Sequence, residues 1–514
     1  MKNALCVFLF AVFLSVFIPA QATSSAGNKR VDIKEGWFYV DGEKFFIKGV
    51  CYFEAHEVFG RYEQNTPEVL DFEFKRIKEA GFNTIRTYLT PEKIEIAKKY
   101  GLMIMQDSDR LCFSDDYKDP AKINEYKANI DKIAGFSKKY DNILFYTIDN
   151  EPNVKALYKQ GEKSAAEMWR ALSDRVKQVD PGAFTSICIM PPDAFADTSM
   201  CDVATLNLYP FNPAKDSIGY EAYAGWYRRA CAKGRPFIIS EYGWTDDLKQ
   251  LSPEMMKLLD RQVQAGATGS FFFTWRAWGK EKEKDNQWWG LVPNNAMPDD
   301  YKAQPRPLYY DMQKYFSAVV VEPKQDGVYT KNLRFEICVS DKTASMTASC
   351  GGRKVMLKRQ GKSWWTGNFI FGPSSFGSNA VIVESKGRDG KTVVKKEFNV
   401  YLCAEKRSLR VKILRNSKSP AKDGVYDAKV IVVDEKGKRV PNQKIILGIN
   451  QTGRDEWASV TRRGITDSNG EYLFKEEGVA PGYFTLMAYP DSASPGIELF
   501  SDVDTVRYDI IPPI

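Results

Sequence analysis

Between Trp37 and Phe316 the chain alternates short β-branched or aromatic runs with segments whose apolar residues recur at helical spacing. This is the mark of repeated βα units and narrows the accessible folds more than any other feature. Eight runs read as buried strands: 47–53, 83–89, 102–107, 143–148, 184–188, 203–209, 236–241 and 270–275. Eight such units predict a closed (β/α)8 barrel. Helical punctuation supports the count. Pro67 opens a helix with Leu70, Phe74 and Ile77 on one face, and Gly81 stops it; Pro91 and Gly101 repeat the device. Further helices are expected over 121–139, 164–179, 221–232, 253–265 and 307–316, whereas the fifth unit, 188–203, is rich in Pro and Asp and has no clear helix. Ahead of the barrel, Trp37-Phe38-Tyr39-Val40 and Lys44-Phe45-Phe46-Ile47 flank Asp41-Gly42, a hairpin signal.

After Phe316 the helical spacing ends, and alternating strands separated by Gly, Asp and Asn turns run to the C-terminus. The fold class expected is therefore multidomain: an α/β TIM (β/α)8 barrel followed by two all-β, immunoglobulin-like sandwich domains. The boundaries read as 23–316, 317–404 and 405–514. In the last domain, the turns Asp434-Glu435-Lys436-Gly437 and Thr466-Asp467-Ser468-Asn469-Gly470 bracket strands in an arrangement that resembles bacterial immunoglobulin-like modules. Spacer or stabilising roles are the plain reading of both sandwiches. Trp364, Trp365 and Trp457 are the aromatics that a carbohydrate-binding surface would use.

The 514 residues, 43% hydrophobic and 27% charged, are globular in composition and too many for one core. Lys2 precedes an apolar run from Ala4 to Ala20 that is short for a membrane span, and Ala20-Gln21-Ala22 has small residues at a cleavage spacing. Residues 1–22 thus read as a signal peptide, and the mature protein as secreted, periplasmic or extracellular, with no membrane span. Eight of the nine cysteines follow this leader. They are too sparse for a disulfide scaffold, although Cys188 with Cys201 and Cys338 with Cys403 remain open as pairs. One histidine and no CxxC leave no basis for a zinc site, so no metal or cofactor is expected. The net charge of +7 is scattered rather than gathered into a stripe, which argues against a nucleic-acid partner. Oligomeric state is not legible.

Active-site groups of such barrels collect at the C-terminal ends of strands. Read in order, those ends carry Glu54 and His56, Arg86 and Tyr88, Asp107 and Asp109, Asp149-Asn150-Glu151, Tyr209, Glu241 and Trp275. Glu151 and Glu241 stand on strands that face each other across the mouth. Paired carboxylates are the minimum equipment for glycosidic cleavage, one giving a proton to the leaving oxygen while the other stabilises or attacks the anomeric carbon.

Phe145-Tyr146-Thr147-Ile148-Asp149-Asn150-Glu151-Pro152-Asn153 resembles the fourth-strand N-E-P motif of the glycoside hydrolase clan with catalytic glutamates on strands four and seven. Phe237-Ile238-Ile239-Ser240-Glu241-Tyr242-Gly243 resembles its seventh-strand nucleophile motif. Gly81-Phe82-Asn83-Thr84-Ile85-Arg86-Thr87-Tyr88, Trp288-Trp289-Gly290-Leu291 and Pro305-Arg306-Pro307 look most like the family 2 type of catalytic barrel. The resemblance implies a retaining double displacement on a β-linked carbohydrate, with Glu241 as nucleophile, Glu151 as acid/base and about 5–5.5 Å between them. It further implies that Arg86 holds Glu241 ionised, Tyr209 donates to it, Asn150 bonds the sugar 2-hydroxyl and Trp275 floors the reacting ring. His56 reads as a loop or subsite residue, and Trp278, Trp288 and Trp289 as stacking walls. Asp107 and Asp109 read either as substrate-orienting groups or as barrel ion pairs and caps.

Two departures from the family 2 pattern loosen the sugar specificity. Only the hairpin segment precedes this barrel, where the family places accessory domains, and the clan's further barrel histidines are missing. The same residues leave open a β-glucan transglycosidase, and a noncatalytic carbohydrate-binding or adhesive surface protein that keeps the barrel as a scaffold.

Overall fold

The structure is a computed structural model that describes residues 30–53, 65–108, 116–152, 154–191, 196–209, 217–243, 248–276, 290–293, 300–340, 342–416, 424–452, 457–479, 482–491 and 496–508. Its first element is a three-stranded antiparallel sheet, β1 (Val31–Lys34), β2 (Trp37–Val40) and β3 (Glu43–Phe45). The expected hairpin thus gains a strand. Val40 pairs with Glu43 across Asp41-Gly42, both at positive φ, which matches the right-handed twist of the flanking strands.

Eight parallel strands then close on themselves: β4 (Ile47–Cys51), β5 (Thr84–Thr87), β6 (Met103–Gln106), β7 (Ile143–Asn150), β8 (Thr185–Ile189), β9 (Ala204–Asn207), β10 (Phe237–Tyr242) and β11 (Gly269–Phe272), with β11 pairing back onto β4. Each lies within a predicted run or overshoots it by one or two residues. The helices are α1 (Pro67–Glu79), α2 (Pro91–Lys99), α3 (Pro120–Ser137), α4 (Val154–Gln160), α5 (Glu162–Val179), α6 (Ser217–Tyr227), α7 (Leu248–Gln264) and α8 (Pro307–Phe316). A short α4 directly after the fourth strand was not anticipated.

Local chemistry explains the helix starts. Thr66, Thr90 and Asp119 each accept a backbone N–H of the first turn, and a proline follows each of them. The cap satisfies an orphan donor, and proline fills a position that has no N–H to lose. Inside the barrel, Gly49 is required by packing: a Cβ there would run into the Phe271 ring. The N-terminal end of the barrel is closed by Phe38, fully buried and stacked on Phe145 at 5.5 Å, with Phe184 edge-on at 6.2 Å.

Two β-sandwiches follow. One, between Ala318 and Leu402, packs a four-stranded on a five-stranded sheet; the other, between Arg407 and Tyr508, packs two four-stranded sheets. Each has its own apolar core. Trp364 and Trp365 are 4% and 6% exposed, so they do not form a binding surface. Trp364 instead welds its sandwich to the barrel, its indole donating to Lys44 O and its ring meeting Trp37 edge-on at 5.7 Å. The Trp457 side chain lies outside the described residues. Cys51, Cys188, Cys201, Cys231, Cys338, Cys350 and Cys403 form no disulfide, which overturns both open pairings. Cys188 and Cys201 are buried small groups, and burial pushes them up to about 11 and about 12. Cys338 sits in a strand between Val319 and Trp364.

Candidate active site

Arg86, on β5, organises the mouth. Its guanidinium is 1% exposed, and its five N–H groups meet five acceptors. Nε reaches Asp107 Oδ2 at 2.6 Å, Nη1 reaches Glu241 Oε1 at 2.6 Å and Ser240 O at 3.1 Å, and Nη2 reaches Asn150 Oδ1 at 2.9 Å and Asp107 Oδ1 at 3.3 Å. A planar fork suits this distribution in a way that an ammonium could not. Asp107 is therefore a barrel ion-pair residue.

Glu241, on β10, is 6% exposed and takes a second bond on Oε2 from the Tyr209 hydroxyl at 2.6 Å. Burial pushes its carboxyl up to about 7; Arg86 pulls it down, nearby Glu151 raises it, and the Tyr209 bond lowers it. Desolvation thus outweighs the cation. Burial and the Glu241 charge push the Tyr209 phenol well above its ordinary value, so its proton stays on Oη as a donor.

Asn150 ends β7 and Glu151 follows it, where strict alternation would send one of them away from the lumen. Two local features turn both inward. The register shifts between Thr147 and Asp149, and Glu151 has a positive φ of 46°. Asp149 faces outward instead, accepting the Trp169 indole N–H at 2.7 Å. Asn207 of β9 joins the two halves of the site. Its Nδ2 donates to Asn150 Oδ1 at 3.1 Å and Glu151 Oε1 at 2.9 Å, while its Oδ1 accepts from Ser240 Oγ at 2.6 Å. The Asn150 side-chain oxygen is thus held by both Arg86 and Asn207.

Glu151, Glu241, Arg86, Asn150 and Tyr209 are thus brought together. Trp275 is not. It is fully buried outside the lumen, its indole donating to Glu73 of α1 at 3.2 Å and its ring 6.1 Å from Tyr309 of α8. β11 ends at Phe272, so the alternation that would carry Trp275 inward has already stopped. The half-buried aromatic beside Tyr209 is Phe273, at 6.5 Å, which also meets Phe53 at 5.6 Å. His56, Trp278, Trp288 and Trp289, with Glu54 and Asp109, lie outside the described residues.

Sequence reading missed Asn207, although the strand expected over 203–209 puts it on the same face as Tyr209. It also missed Glu73, fully buried in α1, which accepts from Tyr52 Oη at 2.5 Å and pairs with Arg276 at 2.5 Å. A charged residue on an otherwise apolar helix face was its one signal. Among the described residues, no group of three or more His, Cys, Asp or Glu could hold a metal ion, and no helix is long and apolar enough to cross a membrane.

Against this geometry stand the comparisons with known proteins. A β-glucuronidase from Paenibacillus borealis is 24% identical over 237 residues, covering 42% of this chain and 38% of that protein. A β-galactosidase from Alteromonas mediterranea is 26% identical over 151 residues, covering 26% of this chain and 14% of that protein. The chain thus spans well under half the length of these relatives. Among solved structures, β-glucuronidase 2 from Bacteroides uniformis, covalently bound to cyclophellitol-6-carboxylate aziridine, aligns over 92% of this chain and 66% of that one, at 12% identity and a TM-score of 0.48. The sequence profile described as "Glycosyl hydrolases family 2, TIM barrel domain" matches residues 31–286, from the hairpin through the eighth strand. The barrel of this chain belongs to the family 2 glycosyl hydrolase TIM-barrel domains.

Proposed function

We propose that the protein is an exported retaining β-glycosidase that cleaves a β-linked oligo- or polysaccharide by double displacement. One observation carries the reading: a single buried arginine ties Glu241 to Asn150, the neighbour of Glu151, at the strand ends of a family 2 barrel. Relatives named β-glucuronidase and β-galactosidase support the β-glycosidic class. The leader-like residues 1–22 support export.

In the first step a Glu241 oxygen attacks the anomeric carbon as the glycosidic bond breaks, and the Glu151 carboxyl proton passes to the departing oxygen. Glu151, now ionised, then takes a proton from water. The resulting hydroxide oxygen bonds to the anomeric carbon and releases the Glu241 carboxylate. The Tyr209 and Arg86 donors stabilise the carboxylate that leaves, and the Asn150 amide is placed for the sugar 2-hydroxyl, a bond that strengthens in the transition state.

The test is a panel of aryl β-glycosides and β-glucans with wild type and Glu241→Ala, the anomeric configuration of the first product being read by NMR. Retained configuration and a trapped 2-fluoroglycosyl ester on Glu241 are expected. Inverted product, or equal activity in the two proteins, would overturn the mechanism. Products longer than the substrate would identify a transglycosidase, and no turnover on the panel would favour the noncatalytic binder.

A further inference from the structure

We infer that the C-terminal sandwich is a working part of the active site, positioning Glu151 through Tyr158 of α4. The inference rests on the reading of Glu151 as acid/base. α4 starts three residues after Glu151 and has seven residues, too few to hold a helix by its own hydrogen bonds. Its placement must come from what packs on it.

Two sets of contacts supply that placement. On the barrel side, Leu157 is buried in the main core and Gln160 Oε1 accepts from Tyr117 N at 2.8 Å. The Tyr117 ring meets Trp169 edge-on at 5.9 Å, and the Trp169 indole donates to Asp149, whose other oxygen accepts from Asn150 N at 2.9 Å. A continuous path therefore runs from α4 back to the residues flanking the candidate acid/base. On the sandwich side, Tyr158 Oη donates to Tyr508 O at 2.7 Å. Its ring lies edge-on to Tyr483 at 6.0 Å and under the Arg507 guanidinium at 4.7 Å.

The same sandwich grips α6, the helix after the strand that leads to Tyr209: Ser501 Oγ donates to Ala222 O at 2.6 Å, and Arg229, just beyond the end of α6, donates to Ser501 O at 3.1 Å. It therefore holds the helices after the fourth and sixth strands, the two that lead to the Glu151 and Tyr209 ends of the site. A spacer has no reason to touch both. Glu151 itself sits at positive φ, outside the strand's own register, so its aim depends on how the following segment is held. Tyr158 is a positioning residue in this scheme, with no contact to substrate required.

The leaving group provides the test. Protonation by Glu151 matters for a poor leaving group such as phenol and hardly at all for 2,4-dinitrophenol, so misplacing the acid separates the two substrates. Full-length Tyr158→Ala should lose about 10- to 100-fold in kcat/KM, which reports the first step alone, on the phenyl β-glycoside, and stay within about twofold of wild type in kcat/KM on the dinitrophenyl one. Tyr158→Phe, which keeps the ring contacts, should recover most of the loss. Amide hydrogen exchange over residues 149–160 should quicken about tenfold in Tyr158→Ala, a reading that needs no turnover. Equal losses in kcat/KM on both substrates, or unchanged exchange over that segment, would overturn the inference. Should Tyr158→Ala not fold, Arg507→Ala, which removes the cation over the ring from the sandwich side, takes the same measurements. A wild type inactive on every glycoside would sink the proposed function instead, and the exchange experiment would still decide whether the sandwich braces α4.

Discussion

The two ends of the barrel are built from the same eight strands and obey opposite rules. At the N-terminal end Phe38 closes the lumen on Phe145 and Phe184, above Ile47, Met103 and Phe271. Nothing charged is needed there, because close-packed rings and aliphatic chains gain from area removed from water and from dispersion. At the C-terminal end Arg86, Asp107, Asn207 and Glu241 are each at most 6% exposed. Charges taken out of water cost several kcal/mol apiece unless paired and hydrogen-bonded, and every N–H of Arg86 is accordingly matched. One end contributes stability. The other consumes some of it to hold a carboxylate in a poorly solvated, chemically responsive state.

Four perturbations would break or sharpen that contrast. The largest concerns chemistry alone: Glu241→Ala should lower turnover of an aryl β-glycoside at least about 10³-fold, and comparable rates in the two proteins would remove Glu241 from the mechanism. Next is Arg86→Met, which takes the buried cation away from Asp107 and Glu241. It should destabilise the barrel by about 3–5 kcal/mol in denaturant unfolding and push the Glu241 carboxyl higher still; a neutral effect would mean that the pairing is not what compensates the burial.

Phe38→Ala, at the other end, should also cost about 3–5 kcal/mol, yet leave the pH dependence of kcat/KM where it was. A displaced profile would show that the two ends are coupled. The mildest test follows Glu241 itself. Its carboxyl is raised from 4.5 to about 7, mainly by burial, so the folded state binds this proton more tightly than the unfolded chain. The wild type therefore loses up to roughly 3 kcal/mol as pH climbs through that window. Glu241→Gln should unfold at a higher temperature than wild type at pH 8, with the difference vanishing below about pH 4.5. In the active wild type, kcat/KM should fall on the acid side of about pH 7 as the attacking carboxylate becomes protonated. A flat stability difference between pH 4 and 8 would contradict the raised value.

The strands and helix starts were readable because their causes are local: β-branched runs, Thr-Pro and Asp-Pro caps, Gly stops. The strand-end residues Arg86, Glu151, Tyr209 and Glu241 were readable for a related reason, since a parallel barrel delivers every strand end to one mouth. Trp275 shows where that logic fails. Alternation holds only while the chain is a strand, and β11 stops three residues earlier, leaving Phe273 beside Tyr209. Trp364 and Trp365 fail similarly. A tryptophan signals apolar area, and whether that area meets a ligand or another domain is settled by packing.

By itself the sequence determined the number and order of the barrel units and the change to all-β architecture after Phe316, which follow from short-range periodicity, and it singled out the two glutamates through motifs that resemble those of the family. The tertiary structure alone decided that Arg86 divides its donors between Asp107, Glu241 and Asn150, that Asn207 spans to Glu151, that the described cysteines form no disulfide and that Tyr158 meets a sandwich 350 residues away. These contacts join residues whose separation along the chain leaves no trace in composition or period, and they exist only once burial has brought polar groups together with no water left to satisfy them.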